Sequence, residues 1–135
     1  MKYNIKEVSA MLHLPASTIR FYEKEGLLPE VERTEGGYRL FSENNLALLR
    51  MIECLKRTGM PIKDIRQFTL WVEQGDASLQ ERYEMFVERR KAVESQIAEL
   101  QETLKVIEYK CQYYQTALQA GTEKIYYQQG GKENE

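Results

Sequence analysis

Residues 79–118 read LQERYEMFVERRKAVESQIAELQETLKVIEYKCQYYQTAL, and the rest of the chain is organised around this segment. Apolar or aromatic side chains recur in it at every third and fourth residue, which is the heptad pattern of a coiled-coil helix. No proline or glycine interrupts the stretch. At about 1.5 Å per residue it predicts one helix roughly 60 Å long. The apolar seam consists of Leu79, Tyr83, Phe86, Val93, Ile97, Leu100, Leu104, Ile107, Cys111, Tyr114 and Leu118.

An isolated helix cannot bury such a seam, and the other segments of the chain are too short to cover it. The sequence therefore predicts a homodimer in which the same helix of a second copy covers the seam. The alternative is a single long helix laid against its own globular domain, which leaves the far end uncovered. Arg90 also falls in the seam, where it needs water or a carboxylate such as Glu88 or Glu94, and it is a candidate for setting the register. The heptad pattern alone does not distinguish parallel from antiparallel pairing of the two helices.

The composition limits the chain to one small globular core and the long helix. It has 135 residues, 42% of them hydrophobic, and a formal net charge of −2. Residues 1–75 carry 11 Lys and Arg against 10 acids, whereas residues 76–135 carry 8 against 11. A basic face on the nearly neutral front part is compatible with nucleic-acid binding.

The chain shows no pattern that directs it to a membrane or out of the cell. Its first residues lack the apolar core of a signal peptide, and no apolar run approaches membrane-spanning length. We therefore expect a cytoplasmic location and no membrane partner. Cys54 and Cys111 lie 57 residues apart, which fits neither a disulfide framework nor a close-spaced zinc pattern, so both are expected to be reduced thiols.

A helix-turn-helix is predicted at the start of the chain. Apolar residues recur at helical spacing from Ile5 to Leu12, Leu14-Pro15 breaks the pattern, and a second helix runs from about residue 16 to residue 23 before Gly26 closes it. This second helix offers hydroxyl and guanidinium groups that can reach phosphates or base edges. They belong to Ser17, Thr18, Arg20 and Tyr22. An ordinary solvated helix is the alternative reading.

A β-hairpin, or wing, is predicted next. Val31 and Arg33 precede the Gly36-Gly37 turn, and residues 38–41 form the return strand. Arg33, Tyr38 and Arg39 combine basic and aromatic groups that suit a phosphate backbone. A purely structural hairpin also tolerates them.

A second helical pair and the long helix follow. Ser42 caps a helix over residues 46–56, and Pro61 begins another that runs to a break at Gly75. Ser78 with Glu81 predicts a capping box at the start of the long helix. The polar tail after the long helix is expected to be disordered. The predicted organisation is a DNA-binding domain over residues 1–75, a dimerisation helix over 76–120 and a tail over 121–135.

Several motifs stand close together and in order: TIRFYE at 18–23, GLL at 26–28, GYRLF at 37–41 and LKRTGMPIKDI at 55–65. Over about residues 3–70 they closely resemble the MerR family of bacterial transcription regulators. The resemblance implies a mostly α fold: a winged helix-turn-helix domain, then a long coiled-coil dimerisation helix that pairs antiparallel. It also implies binding to a palindrome in an overlong promoter spacer of double-stranded DNA. Activation would follow when the spacer is distorted so that RNA polymerase can engage both promoter elements.

Carried over position by position, the resemblance assigns DNA contacts to three groups of side chains. The recognition helix supplies Ser17, Thr18, Arg20 and Tyr22, the wing supplies Arg33, Tyr38 and Arg39, and the second helical pair supplies Lys56. Phe21 departs from the tyrosine that the family often has. Leu14 occupies a place where a small capping residue is common.

The resemblance also limits what the protein can sense. Metal-sensing members carry a cysteine near the start of the long helix, where this chain has Leu79, and a late cysteine pair is absent, so no metal site is expected. In the given sequence 15 residues follow the predicted helix, so a separate drug-binding domain is not expected. Cys54 resembles the lone thiol of a branch linked to reactive aldehydes or nitrosative stress, and Arg50 and Arg57 on the same helix face favour a thiolate.

Two alternatives to thiol chemistry stay open. Cys54 can be a small, inert core residue, and Cys111 is expected to be an apolar filler in the seam.

The sequence offers no constellation for catalysis: no paired carboxylates in a pocket-forming context, no serine or cysteine with a histidine base, and no glycine-rich phosphate loop. We therefore predict neither an enzyme nor a cofactor. The competing function is an unregulated architectural DNA-binding or coiled-coil scaffold protein.

Overall fold

A computed structural model of the chain describes residues 1–29 and 31–127. The elements in order are β1 (Lys2–Tyr3), α1 (Ile5–Leu12), α2 (Ala16–Lys24), β2 (Glu32–Arg33), β3 (Arg39–Ser42), α3 (Glu43–Arg57), α4 (Ile62–Gln74), a 3₁₀ turn (Gly75–Ser78), α5 (Leu79–Ala120) and α6 (Lys124–Tyr127). The chain forms two compact units, one of residues 1–92 and one that begins at Val93. The predicted fold class, a mostly helical winged helix-turn-helix followed by a long helix, is confirmed.

Local hydrogen bonds define the helix-turn-helix. The Asn4 side chain accepts from the Glu7 N–H at 2.8 Å, and the Glu7 carboxylate accepts from the Asn4 N–H at 2.9 Å, which caps α1. The carbonyl of Pro15 accepts from two N–H groups of the first turn of α2. Gly26 ends α2 with a φ of +77°, a conformation that costs glycine little. The predicted limits of the recognition helix are confirmed within one residue.

The wing is part of a three-stranded antiparallel sheet with the order β1-β3-β2. Lys2 pairs with Ser42, and Arg33 pairs with Arg39. The predicted hairpin is confirmed, and Gly37 takes a φ of +84° in its turn. The sequence did not predict β1, because two residues are too few for an alternating pattern.

The second helical pair closes the core of the first unit. Ser42 and Asn45 cap α3 through reciprocal bonds of 3.1 and 2.9 Å, so α3 begins at Glu43, three residues before the predicted start. Apolar residues of both helical pairs and of β3 share one buried cluster. Its fully buried members include Val8, Ile19, Leu27, Phe41, Leu46, Leu49, Ile52, Leu55 and Ile65. The recognition helix thus rests on α3 and α4 as well as on α1.

The capping box predicted for Ser78 and Glu81 is wrong. Ser78 lies inside the 3₁₀ turn, and its hydroxyl donates backward to the carbonyl of Trp71 and lies 3.0 Å from that of Gly75. The first compact unit extends to Ala92, past the predicted boundary at residue 75. The reason is packing: Met85 lies against the core, and the Phe86 ring meets the Phe68 ring edge-on at 5.7 Å.

The second unit contains the rest of α5 and α6. Tyr113 is buried, and its ring stacks on that of Tyr126 with centroids 4.1 Å apart. Its hydroxyl donates to the Glu123 carboxylate at 3.2 Å. The prediction of a disordered tail is therefore wrong for Lys124–Tyr127, because aromatic stacking orders that segment. Residues 128–135 of the predicted tail lie outside the described residues.

The heptad seam of α5 is exposed on the single chain. Leu100 is 67% exposed and Leu118 is 81% exposed, and most other seam members between them are about half exposed. A stripe of this length exceeds the scattered apolar exposure of ordinary monomers. Among the described residues, no helix has the combination of length and apolar character that crossing a membrane requires.

Candidate nucleic-acid interface

The first turn of α1, the recognition helix α2 and the wing border one open groove of about 730 Å³, which we call the wing groove. Lys6 lines it from α1, Arg20 from α2, and Thr34, Tyr38 and Arg39 from the wing. The structure thus brings the predicted recognition helix and wing to the same surface. Lys6 and Thr34 were not predicted, because no local pattern relates α1 or the hairpin turn to this groove.

The exposed face of α2 carries partnerless cationic and hydroxyl groups. Ser17 and Arg20 are exposed, and Thr18 is half-buried. Within residues 1–29 and 31–127, the Arg20 guanidinium makes no hydrogen bond or ion pair, so all of its donors are available. Lys24 lies one turn further along the same face and is likewise exposed. Its i+4 spacing from Arg20 is the signal that would have identified it.

Tyr22 is not exposed as predicted but fully buried. Its hydroxyl donates to the Glu53 carboxylate and accepts from Lys56 Nζ at 2.6 Å. Burial, and then the hydrogen bond to Glu53, raise the pKa of Tyr22. Tyr22 therefore ties α2 to α3, and its hydroxyl does not face solvent. Ile19 and Tyr22 are three residues apart, and this spacing already places both on the inner face of α2.

Lys56 takes part in the same contact. Its ammonium lies 5.1 Å from the centroid of the Tyr22 ring and 3.8 Å from the Glu53 carboxylate. The Lys56 side chain nevertheless remains partly exposed. In this position a phosphate would contact an ammonium that is also bonded to the Tyr22 hydroxyl and lies close to the Glu53 carboxylate.

Glu23 of α2 binds both arginines of the wing. Arg39 Nε donates to its carboxylate at 2.5 Å, and Arg33 Nη2 lies 3.7 Å from the second oxygen. Glu23 and Arg39 are mostly buried, whereas the Arg33 side chain is about half exposed. The two predicted phosphate-binding arginines are thus held against the recognition helix, which fixes the orientation of the wing.

The tip of the wing presents an aromatic ring. Tyr38 is 75% exposed. Its N–H donates to Thr34 Oγ1 at 3.1 Å, and Arg33 Nη1 donates to the Gly37 carbonyl at 3.0 Å. The turn is therefore ordered while the phenol projects from it, as a phosphate- or sugar-contacting group requires.

Cys54 is exposed on α3, so the alternative of a buried core residue is wrong. Arg50 and Arg57 flank it on the helix, and both are exposed. Cys111 is also exposed on the single chain, at its seam position in α5. In the described part of the chain, no group of three or more His, Cys, Asp or Glu side chains is placed to hold a metal ion.

Two family patterns match the chain. The one described as MerR HTH family regulatory protein matches residues 3–69, and the one described as MerR, DNA binding matches residues 46–108. Together they cover the wing groove, both helical pairs and most of α5.

Individual relatives match over nearly the whole length. An uncharacterised HTH-type transcriptional regulator of Haemophilus influenzae is 42% identical over 124 residues, which is 92% of each chain. The crystal structure of HiNmlR, described as a MerR family regulator lacking the sensor domain and bound to promoter DNA, is 42% identical. It has a TM-score of 0.86 and covers 93% of this chain and 99% of that one. A MerR family regulator from Bacillus thuringiensis is 41% identical, with a TM-score of 0.77 and coverage of 82% and 97%.

Proposed function

The chain belongs to the MerR family of helix-turn-helix transcriptional regulators, and from that membership we propose that it binds a palindromic promoter site as a homodimer. It acts there without enzymatic activity, in the cytoplasm, where the promoter DNA lies. The observation that carries the proposal is the wing groove, in which the Arg20 guanidinium, without a polar partner among the described residues, and the exposed Tyr38 phenol border one surface. An arginine fork can bind a guanine edge, and a wing tyrosine can bind the adjacent backbone.

The direct DNA contacts are Ser17, Thr18 and Arg20 from α2 and Tyr38 from the wing tip. Arg33, Arg39 and Lys56 contribute positive charge near the backbone while they remain bonded to Glu23 or Tyr22. Tyr22 orients α2 through its bonds to α3, on the side away from the DNA, and makes no contact with DNA. This division separates groups that read bases from groups that position the backbone.

The homodimer forms through the exposed seam of α5. Two copies of a heptad helix bury the stripe that one copy leaves in water. The family resemblance supports antiparallel pairing, which would fix the separation of the two recognition helices and hence the spacing of the half-sites.

Cys111 tests the orientation of the two helices. In a parallel pair, Cys111 lies opposite its own copy in the same layer, within reach of a disulfide. In an antiparallel pair it faces a different layer. For the variant Cys54→Ser, in which Cys111 is the only thiol, we expect mild oxidation to leave the folded dimer without an intersubunit disulfide on a non-reducing gel. Alkylation in denaturant serves as the control that the thiol is free, and rapid quantitative cross-linking would show that the pairing is parallel.

Activation follows from distortion of the promoter spacer. Bending a site of 20–30 base pairs by tens of degrees costs on the order of 1–6 kcal/mol, which two anchored half-site contacts can offset. The distorted spacer lets RNA polymerase engage both promoter elements. Selection of binding sites from random DNA, followed by footprinting and transcription in vitro, tests this proposal. A symmetric protected region supports it, whereas equal binding to every sequence would favour an unregulated architectural protein.

The effector is an electrophile or redox signal that reacts at Cys54. The thiol is exposed and therefore open to attack on an electrophile, and the exposed Arg50 and Arg57 flank it on the same helix. α3 carries both Cys54 and Glu53, the hydrogen-bond partner of Tyr22. A modification of Cys54 would therefore act next to the contact that holds the recognition helix.

Replacing Cys54 by serine is expected to abolish induction of a promoter fusion by an aldehyde such as formaldehyde, while operator affinity stays within about twofold of the parent. Serine keeps the size of the side chain but is a far weaker nucleophile. The matched control is Cys111→Ser, which should induce normally. Unchanged induction in the Cys54 variant would remove the thiol from the mechanism and leave the DNA-binding proposal intact.

A further inference from the structure

The junction between α4 and α5 is built from hydrogen bonds rather than from a flexible loop. We define the α4–α5 junction as the turn Gly75–Ser78 together with Arg82, one turn into α5. α4 ends at Gln74, the 3₁₀ turn follows at once, and α5 begins at Leu79. Gly75 has a φ of +70°, a backbone conformation that a side chain would strain. The direction of the first turns of α5 relative to α4 is therefore set by the α4–α5 junction.

Arg82 and Ser78 hold this turn closed. Arg82 Nη2 donates to the Gly75 carbonyl at 2.7 Å, and Arg82 Nε donates to Ser78 Oγ at 3.0 Å. Ser78 is 1% exposed, and its hydroxyl in turn bonds to the carbonyl of Trp71. The guanidinium is planar and donates two charge-assisted hydrogen bonds, one to each acceptor. Two such bonds fix the orientation of Arg82 relative to the turn, which a single bond would not do.

α4 is bonded equally closely to the end of the recognition helix. Arg66 Nε donates to the Glu25 carbonyl at 2.6 Å, and Thr69 Oγ1 donates to the Leu27 carbonyl at 2.9 Å. Glu25 is the C-cap residue of α2, and Leu27 lies in the segment just after the helix. Side chains of α4 thus bind the backbone at the end of α2 and in the residues that follow it.

From these two sets of contacts we infer that Arg82 and Ser78 are positioning residues for operator recognition, because they set the direction of the start of α5 relative to α2. The inference rests on the proposed dimer. In that dimer the two recognition helices are related through the α5 helices, so a change at the junction changes their separation on DNA. Half-site spacing is a geometric property of the dimer, and contacts within one half-site do not depend on it.

The test compares two kinds of DNA. The first carries a single half-site, and the second is a series in which the two selected half-sites are moved apart or together one base pair at a time. For Arg82→Ala we expect single half-site affinity within about twofold of the parent, while the preference for the best spacing over its neighbours falls by about tenfold. Arg82→Lys keeps the positive charge but not the two-donor guanidinium, so its spacing profile should fall between those of the parent and Arg82→Ala.

Gln80→Ala is the matched control. Gln80 lies two residues from Arg82, and among the described residues its side chain bonds only to the exposed Glu84. It should keep the parent spacing profile. Ser78→Ala removes the shared acceptor and should broaden the profile as Arg82→Ala does. Sedimentation and thermal unfolding check that each variant remains dimeric and folded under the assay conditions.

Two outcomes would overturn the inference. One is an unchanged spacing profile in folded, dimeric Arg82→Ala and Ser78→Ala. The other is a loss of single half-site affinity as large as the loss on the full operator, which would assign Arg82 to the stability of the recognition domain. Failure of the underlying dimer proposal looks different, because the parent protein itself would then show no preference for any spacing.

Discussion

Replacing Arg20 by alanine is expected to lower the affinity for the selected operator by about 5- to 150-fold for each half-site, the equivalent of about 1–3 kcal/mol. The Arg20 guanidinium makes no hydrogen bond or ion pair in the described part of the chain, so its removal breaks none within the fold. We therefore assign the expected loss to contacts with DNA. It should be largest for operators with a guanine at the contacted position and small for random DNA.

Arg39→Ala is the comparison that separates base reading from backbone contact. Arg39 is bonded to Glu23 and lies on the wing, so its loss should weaken binding to all sequences alike and lower the salt dependence. The measurement is a salt series with operator and random DNA for each variant. Equal losses on every sequence from both changes would contradict the assigned roles. A circular dichroism spectrum of each variant checks that α2 is retained.

Replacing Leu100 by glutamate is expected to dissociate the dimer. In the proposed dimer Leu100 is buried by the partner helix. Loss of a buried leucine costs about 2–5 kcal/mol, and each dimer loses two, so the dimer dissociation constant should rise about a thousandfold or more. The two carboxylates add repulsion in a desolvated seam. Since Leu100 is 67% exposed on the single chain, the substitution should leave the fold of the monomer unchanged.

Ala98→Glu is the control for the added charge. Ala98 lies two residues from Leu100, on the opposite side of α5 by helical geometry, and is exposed. Sedimentation equilibrium should show the Ala98 variant as a dimer and the Leu100 variant as a monomer. The monomer should bind a single half-site normally and lose the added affinity of the full palindrome. A dimer that survives Leu100→Glu would contradict the seam as the interface.

Some residues of the candidate site could be placed on the wing groove from the sequence because their signal is local. Arg20 follows from the recognition-helix motif, and Tyr38 and Arg39 follow from the glycine turn before them. Tyr22 is assigned to DNA by its residue type, although its three-residue spacing from Ile19 places it on the inner face of α2. The partner of its hydroxyl could not be predicted, because Glu53 is 31 residues away in the sequence.

Long-range contacts account for the other differences. The Glu23 carboxylate meets Arg39 across 16 residues, and nothing in either segment alone indicates that the wing arginines are held in this way. The tail was expected to be disordered from its polar composition, yet Tyr126 stacks on Tyr113, which is 13 residues earlier. Ser78 has the residue type and spacing of a helix cap, but its hydroxyl bonds backward to Trp71 instead.

The order and nature of the elements follow from the amino-acid sequence: the helix-turn-helix, the wing, the second helical pair and the long heptad helix. Periodicity, capping and glycine turns specify them, and these act within a few residues. Which polar groups remain available to a partner depends on the folded chain. Within residues 1–29 and 31–127, the Arg20 guanidinium has no hydrogen-bond or ion-pair partner, whereas Tyr22 and Arg39 are bonded to carboxylates from other elements. A side chain's availability depends on the groups that the fold brings against it, and those groups are distant in the sequence.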